Sequence, residues 1–240
     1  MSVVFPRLYA IIDANLLPDS EPAFAKMLAN SGVELIQYRN KNSTSRALFE
    51  ISSRIAHELE ETSVRFIVND RADVARLSGA GGVHVGQEDL PVEAARAVCG
   101  NGEGNNAGNS AGKSASNSAT SGHLWVGVST HTLEQVRAAE ATSADYIAIG
   151  PIYATATKEK PDAVVGVEFI RRARELTRKP LVAIGGITVE RAREVFRAGA
   201  DCVAVARNLF CAADPAVQVK EYIAVAAEFC SAHGAEAERA

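Results

Sequence analysis

Two aspartates, Asp70 in the run Val-Asn-Asp and Asp89 in the run Gly-Gln-Glu-Asp, each follow a short apolar stretch and offer hard oxygen donors. Mg2+ takes one or two protein carboxylates and completes its octahedron with water and phosphate oxygens, so such a pair suits a cation shared with a phosphorylated ligand. Each also has a plainer reading as a helix cap, Asp70 for the segment it opens and Asp89 for the segment starting at Pro91. The cations tip the balance. Arg39 and Lys41 stand at the end of another apolar run, and Lys158 follows a third. Singly, each reads as a solvated surface charge. Beside a metal, a guanidinium and two ammonium groups form a clamp for a polyanion such as a diphosphate. A separate feature is the pair Gly185-Gly186 before a segment opening at Thr188. Such a turn either leaves backbone N–H groups facing a phosphate or merely tightens the chain. Ser129 and His131 are close in sequence, but no third orienting group and no G-x-S-x-G elbow accompanies them, which argues against a hydrolase triad. His84, inside an apolar run, reads as a hydrogen-bonded interior residue, and Cys202 as core.

These residues need a frame, and the runs they terminate supply it. Short apolar stretches occur at 8–13, 34–39, 64–69, 83–86, 125–129, 146–150, 181–185 and 202–206. Most are continuously apolar rather than alternating, as strands buried on both faces of a parallel sheet are. Between them lie segments of helical spacing with hydroxyl or acidic openings at Asp70, Thr132 and Thr188. Eight strand–helix units give a doubly wound sheet or a closed (β/α)8 TIM barrel, and the count of eight favours the barrel. We therefore expect an α/β fold with residues 1–240 forming a single domain. In a barrel the chemistry sits where strands end. Seven runs end in polar or glycine residues: Gln37-Tyr38-Arg39-Asn40-Lys41, Asn69-Asp70, Gly86 to Asp89, Ser129 to His131, Gly150 through Thr155-Ala156-Thr157-Lys158, Gly185-Gly186, and Ala206-Arg207.

One stretch breaks the rhythm. Residues 100–122 are almost entirely Gly, Asn, Ser and Ala, too poor in apolar surface to offset the entropy of ordering, and read as a flexible low-complexity insertion. It joins a helix to the next strand, which in a barrel is the face opposite the chemistry.

The composition is that of an ordinary globular protein, 47% hydrophobic and 22% charged over 240 residues. Lys plus Arg number 25 and Asp plus Glu 29, a net charge of −4 that speaks against nucleic-acid or membrane-surface binding driven by bulk charge. Four cysteines without CxxC spacing argue against a disulfide scaffold or a zinc site and point to a reducing cytoplasm. The N-terminus, with Pro6, Arg7 and Asp13 interrupting its apolar residues, fits neither a signal peptide nor a membrane span.

Taken in order, QYRNK at 37–41, VND at 68–70, GVHVGQEDL at 82–90, GVSTH at 127–131, ADYIAIGPIYATATK at 144–158 and VAIGGIT at 182–188 make the chain similar to the thiamine-phosphate synthase family. The similarity runs from Leu8 to Phe210 and skips only the insertion. The resemblance implies a Mg2+-dependent transferase on a (β/α)8 barrel. Its reaction joins 4-amino-2-methyl-5-hydroxymethylpyrimidine diphosphate to 4-methyl-5-(2-phosphoethyl)thiazole, or its carboxylate, and releases pyrophosphate by a dissociative path. It further implies that Gln37, Arg39, Lys41, Asn69 and Lys158 hold the pyrimidine diphosphate, that Asp70 and Asp89 hold Mg2+, and that Ser129 contacts the pyrimidine. Thr155, Thr157 and Gly186 would hold the thiazole phosphate. Tyr38, Asn40, Ala156, Gly185, Ala206 and Arg207 complete the implied substrate-binding set, with Lys158, Arg39 and Ser129 in the catalytic roles. The partners implied are these small molecules, and a homo-oligomer is left open. The chain departs from the family where a small hydroxyl residue is usual after the last strand and Val205-Ala206-Arg207 stands instead, and at Ala154, where proline is common. Two other readings remain: a thiazole tautomerase of the same superfamily, which needs no two-aspartate metal site, and a non-catalytic thiamine-phosphate-binding protein.

Overall fold

The computed structural model describes residues 5–16, 20–100, 124–155 and 163–229. The insertion from 101 onward and Ala156, Thr157 and Lys158 lie outside the described residues. Eight parallel strands close in sequence order into one barrel: β1 (Leu8–Asp13), β2 (Leu35–Arg39), β3 (Arg65–Asn69), β4 (Gly82–Val85), β5 (Trp125–Thr130), β6 (Tyr146–Ile149), β7 (Leu181–Ile184) and β8 (Cys202–Val205), with β8 pairing back onto β1. Every strand lies within one residue of its apolar run. The helices between them are α1 (Glu21–Asn30), α2 (Ser45–Glu58), α3 (Ala72–Ser78), α4 (Val92–Cys99), α5 (Leu133–Glu140), α6 (Val167–Arg174) and α7 (Val189–Arg197), followed after β8 by the short α8 (Arg207–Phe210) and by α9 (Pro215–Ala227). The expected openings appear where hydroxyls mark them. Thr132 and Gln135 form a reciprocal capping box at α5, and Thr188 accepts from the Arg191 amide at α7.

Continuous apolarity of the strands has its reason in two separate layers. Ala10, Ile12, Ile36, Tyr38, Val68, Val83 and Ile147 point outward and pack with helix residues such as Leu28, Ile55, Ile170 and Val195. Tyr9, Ile11, Leu35, Ile67, Tyr146, Val182 and Cys202 fill the lumen. Burying an aliphatic side chain of this size stabilises by about 1.5–3 kcal/mol, so the outer layer carries most of the fold. The lumen is stoppered near the strand starts. Phe5 stacks on Trp125 at 5.2 Å, and the Arg65 guanidinium covers the same indole at 4.2 Å. Among the described residues, the polar side chains that face the lumen gather toward the carboxyl ends of the strands.

Candidate active site

Alternation along each strand decides which polar side chains reach the lumen. On β1 and β2 the inward set is Tyr9, Ile11 and Leu35, which continues to Asp13, Gln37 and Arg39 at the top. Asp13 and Arg39 face each other in the ladder and form an ion pair of 2.5 Å between Oδ2 and Nη1. Next round the rim, Lys41 Nζ lies 3.3 Å from Asp70 Oδ2. Asp70 has a φ of 62°, in the left-handed region that a short polar side chain tolerates at a cost of the order of 1 kcal/mol. Its amide donates to the His84 carbonyl at 2.7 Å, which ties this bent residue to the end of β4. Asp89 Oδ2 accepts the Gly86 amide at 2.7 Å and stands beside Asp70. Burial pushes the Asp70 carboxyl up, the neighbouring Asp89 carboxylate pushes it further, and Lys41 offsets part of the rise. The capping alternative does not survive: α3 is capped at Arg71 and α4 at Pro91, neither through a side chain.

Below this quadrant a hydrogen-bonded chain crosses the lumen. Gln37 Nε2 donates to the Tyr9 hydroxyl at 2.6 Å, Tyr9 meets Tyr146 at 2.9 Å, Tyr146 meets His84 Nδ1 at 3.1 Å, and His84 Nε2 meets Ser129 Oγ at 2.9 Å. Complete burial holds both phenols well above their ordinary titration range, so they stay hydroxyls. Gln37 donates into the chain at one end, and the tautomer of His84 sets which way the remaining protons point. Gly127 makes room for this chain, since a Cβ there would run into the Tyr146 ring.

The opposite side is built on glycine. Gly185 and Gly186 have φ of 103° and 62°, and a Cβ on Gly186 would sit 2.5 Å from the Ala154 carbonyl oxygen. The loop after β6 is thereby zipped to the loop after β7, with the Ile152 amide donating to Ile184 O at 2.8 Å and the Tyr153 amide to Gly185 O at 3.0 Å. Arg191 lies 4.5 Å over the Tyr153 ring and donates to Gly186 O at 2.7 Å. Thr155 follows on this loop, half-buried, and Ala206 and Arg207 open α8 at the end of the neighbouring strand.

The structure thus brings Arg39, Lys41, Asp70 and Asp89 into one quadrant, gathers Gln37 and Ser129 on the lumen chain, and sets the Gly185-Gly186 turn against the loop carrying Thr155. Asn69 occupies the inward position at the end of β3, paired with His84 in the ladder. Tyr38 is a correction: it faces outward into the helix layer, with its hydroxyl on Glu21 at 3.4 Å and receiving the Asn40 amide at 3.2 Å. Period-two alternation between Gln37 and Arg39 puts it there, and Asn40 is its partner. Burial pushes the Tyr38 phenol up to about 12. His131 is not paired with Ser129; its Nδ1 contacts Gly150 O at 2.6 Å. Cys202 is core and His84 is a hydrogen-bonded interior residue, as their settings in the sequence imply. Sequence reasoning passes over Asp13, Tyr9 and Tyr146. Asp13 carries the same signal as Asp70, a carboxylate closing an apolar run.

Among the described residues no three His, Cys, Asp or Glu side chains gather as a metal cage. Asp70 and Asp89 bring two carboxylates together, and a hard cation held between them would need water and ligand oxygens to complete its shell. No helix among them is long and apolar enough to cross a membrane.

The chain is similar to known proteins along nearly its whole length. The family model described as thiamine monophosphate synthase matches residues 8–104 and 107–209. The thiamine-phosphate synthase of Koribacter versatilis is 43% identical over 225 residues, covering 92% of this chain and 95% of the relative. That of Methanospirillum hungatei is 36% identical over 216 residues, 90% of this chain and 95% of the relative. Among solved structures, thiamine phosphate pyrophosphorylase from Pyrococcus furiosus superposes with a TM-score of 0.76 at 31% identity, over 94% of this chain and 97% of that one. A 3-hexulose-6-phosphate synthase, 20% identical with a TM-score of 0.59, shares the fold alone. With matches of this extent, the chain belongs to the thiamine monophosphate synthase family.

Proposed function

We infer that this chain is a transferase that condenses the aminopyrimidine methyl diphosphate with the thiazole phosphate to give thiamine phosphate and pyrophosphate. The observation that carries the assignment of roles is the division of the mouth into a carboxylate–cation quadrant over β1–β4 and a glycine-built turn over β6–β7. The carbon–oxygen bond between the pyrimidine methylene and the diphosphate breaks, the thiazole nitrogen forms the new carbon–nitrogen bond, and the electron pair leaves on pyrophosphate. No proton need be removed from the nucleophile, which agrees with a mouth organised around charge rather than around a general base. The work falls on positioning and on stabilising the leaving group.

Arg39 and Lys41, with Lys158, take the diphosphate oxygens, and Gln37 and Asn69 add amide contacts from inward positions on β2 and β3. Asp70 and Asp89 are the residues that would hold Mg2+, which when bound neutralises charge on the departing diphosphate. Ser129, held by His84 at the end of the lumen chain, contacts the pyrimidine through its hydroxyl. The turn at Gly185 and Gly186, with Thr155 and Thr157, receives the thiazole phosphate. Backbone N–H groups suit that task, and the chain's Ala206-Arg207 in place of a hydroxyl residue leaves it to them and to the arginine charge.

Pyrophosphate release, measured by a coupled assay with both substrates and Mg2+, tests the assignment. Turnover is expected only with both substrates, and none after EDTA. Release with the pyrimidine diphosphate alone at the same rate would make the chain a hydrolase, and binding without release a sensor. The two-aspartate quadrant speaks against the tautomerase reading, which has no use for it.

The insertion offers a separate check. Helix α4 ends at Cys99 and β5 begins at Trp125, and a helix-to-strand junction in a barrel lies at the end away from the strands' carboxyl ends. Closure entropy changes by only about 0.6 kcal/mol per doubling of loop length. Deletion of residues 102–121 is expected to leave both KM values and the melting temperature close to the parent's. A large rise in either KM would bring the insertion to the mouth.

A further inference from the structure

Asp13 is 1% exposed at the very end of β1, a costly place for a carboxylate unless something holds it there. Its two oxygens are engaged differently. Oδ1 accepts the Asn15 amide at 3.0 Å, and Oδ2 holds Arg39 Nη1 at 2.5 Å across the ladder. The main chain locks the same pair of strand ends, with the Ala14 amide donating to Arg39 O at 2.9 Å. Arg39 itself is only 16% exposed, and Nη1 is its one engaged donor among the described residues. A planar guanidinium anchored at one nitrogen keeps its other N–H groups in a fixed plane, which suits a second, bidentate anion.

We propose that Asp13 is a positioning residue for the reaction: it anchors Arg39 from below so that the guanidinium meets the diphosphate already oriented. This rests on the reading that Arg39 binds the diphosphate. A buried pair of this kind is a weak source of stability, since the desolvation of two charges offsets most of their attraction. Its value lies in the side-chain entropy that Arg39 no longer loses on binding. That saving corresponds to roughly three- to tenfold in affinity for one long side chain.

The experiment is a double-mutant cycle in the full chain with Asp13→Asn, Arg39→Gln and the double variant, recording kcat, KM for the pyrimidine diphosphate, KM for the thiazole phosphate and the melting temperature. Asp13→Asn is isosteric and retains an oxygen for the Asn15 amide. It is expected to raise the diphosphate KM roughly three- to tenfold while leaving the thiazole KM unchanged. In the Arg39→Gln background the same change should add nothing, because the group it orients is gone. Multiplying effects, or an unchanged or lowered diphosphate KM in Asp13→Asn, overturn the proposal. If Arg39→Gln itself leaves the diphosphate KM unchanged, the role of Arg39 fails and Asp13 falls with it. If Arg39→Gln raises KM and Asp13→Asn does not, only the positioning role fails. Should Asp13→Asn fold poorly, Asp13→Glu carries the same test, since it keeps the charge but displaces the anchor.

Discussion

Asparagine at Asp70 or at Asp89 is expected to leave no more than about 1% of turnover at limiting Mg2+, the scale of losing a group that stabilises the leaving charge. Asparagine is the informative choice at Asp70, because it accepts the left-handed backbone of this residue as readily as aspartate does. The loss should be partly relieved by excess Mg2+ if the remaining carboxylate still binds. Stability moves the other way. Burial and the Asp89 carboxylate raise the folded-state pKa of Asp70 above its unfolded value, so the unfolded chain releases this proton first as pH rises. Metal-free protein therefore loses stability as pH climbs from the ordinary carboxylate range through the raised value of Asp70, and the deficit persists above it. Asp70→Asn cannot ionise and should escape that loss. Thermal melts without metal, at acid and neutral pH, are expected to show the variant gaining on the parent as pH rises. A variant that keeps near-normal turnover at limiting Mg2+ would remove Asp70 from the metal site; one that melts lower than the parent at neutral pH would mean that the Lys41 pair outweighs the carboxylate repulsion.

The barrel was legible because its information is local and repeated. Continuous apolarity marks strands buried on both faces, and threonines mark the openings of α5 and α7. The rim carboxylates were legible for a related reason: each follows an apolar run, and the structure removes the capping alternative that the sequence leaves open at Asp70 and Asp89. Asp13 meets the same rule at the end of LYAIID, yet in sequence it reads only as an interruption of the N-terminal apolar stretch. Its meaning depends on Arg39, 26 residues away and opposite it in the ladder. Tyr38 shows the converse fault. A motif read as a block, QYRNK, assigns every member to the mouth, whereas strand geometry sends alternate members to opposite faces. The lumen chain was hidden for a third reason. Tyr9 and Tyr146 sit among aliphatic residues and look like core, and they are core; only closure of the barrel brings their hydroxyls to each other and to Gln37 and His84. Contacts made by closure have no signature in linear spacing.

Lys158→Ala is expected to lower kcat by on the order of 10²-fold, the effect of losing one preorganised electrostatic donor. Lys158 lies outside the described residues. On the proposed assignment, the charge of the leaving group in the bound pyrimidine diphosphate is spread over oxygens that Arg39 and Lys41 would already meet. As the carbon–oxygen bond breaks, a further increment of negative charge gathers on the bridging oxygen. A cation that meets this increment binds the transition state more tightly than the ground state, and such a contact appears in kcat rather than in KM alone. Lysine, a compact charge on a long stem, suits a single oxygen better than the planar fork of arginine does. Thr157→Ala, one residue away, should instead raise KM for the thiazole phosphate with little change in kcat, because a hydroxyl on a spectator phosphate serves both states alike. Steady-state kinetics with each substrate varied in turn separates the two patterns. A single-turnover measurement of pyrophosphate release then decides the matter, because slow product release in the parent would mask a change in the chemical step. An unaltered single-turnover rate with a raised diphosphate KM would reduce Lys158 to a docking residue and leave the departing charge to Arg39, Lys41 and the metal.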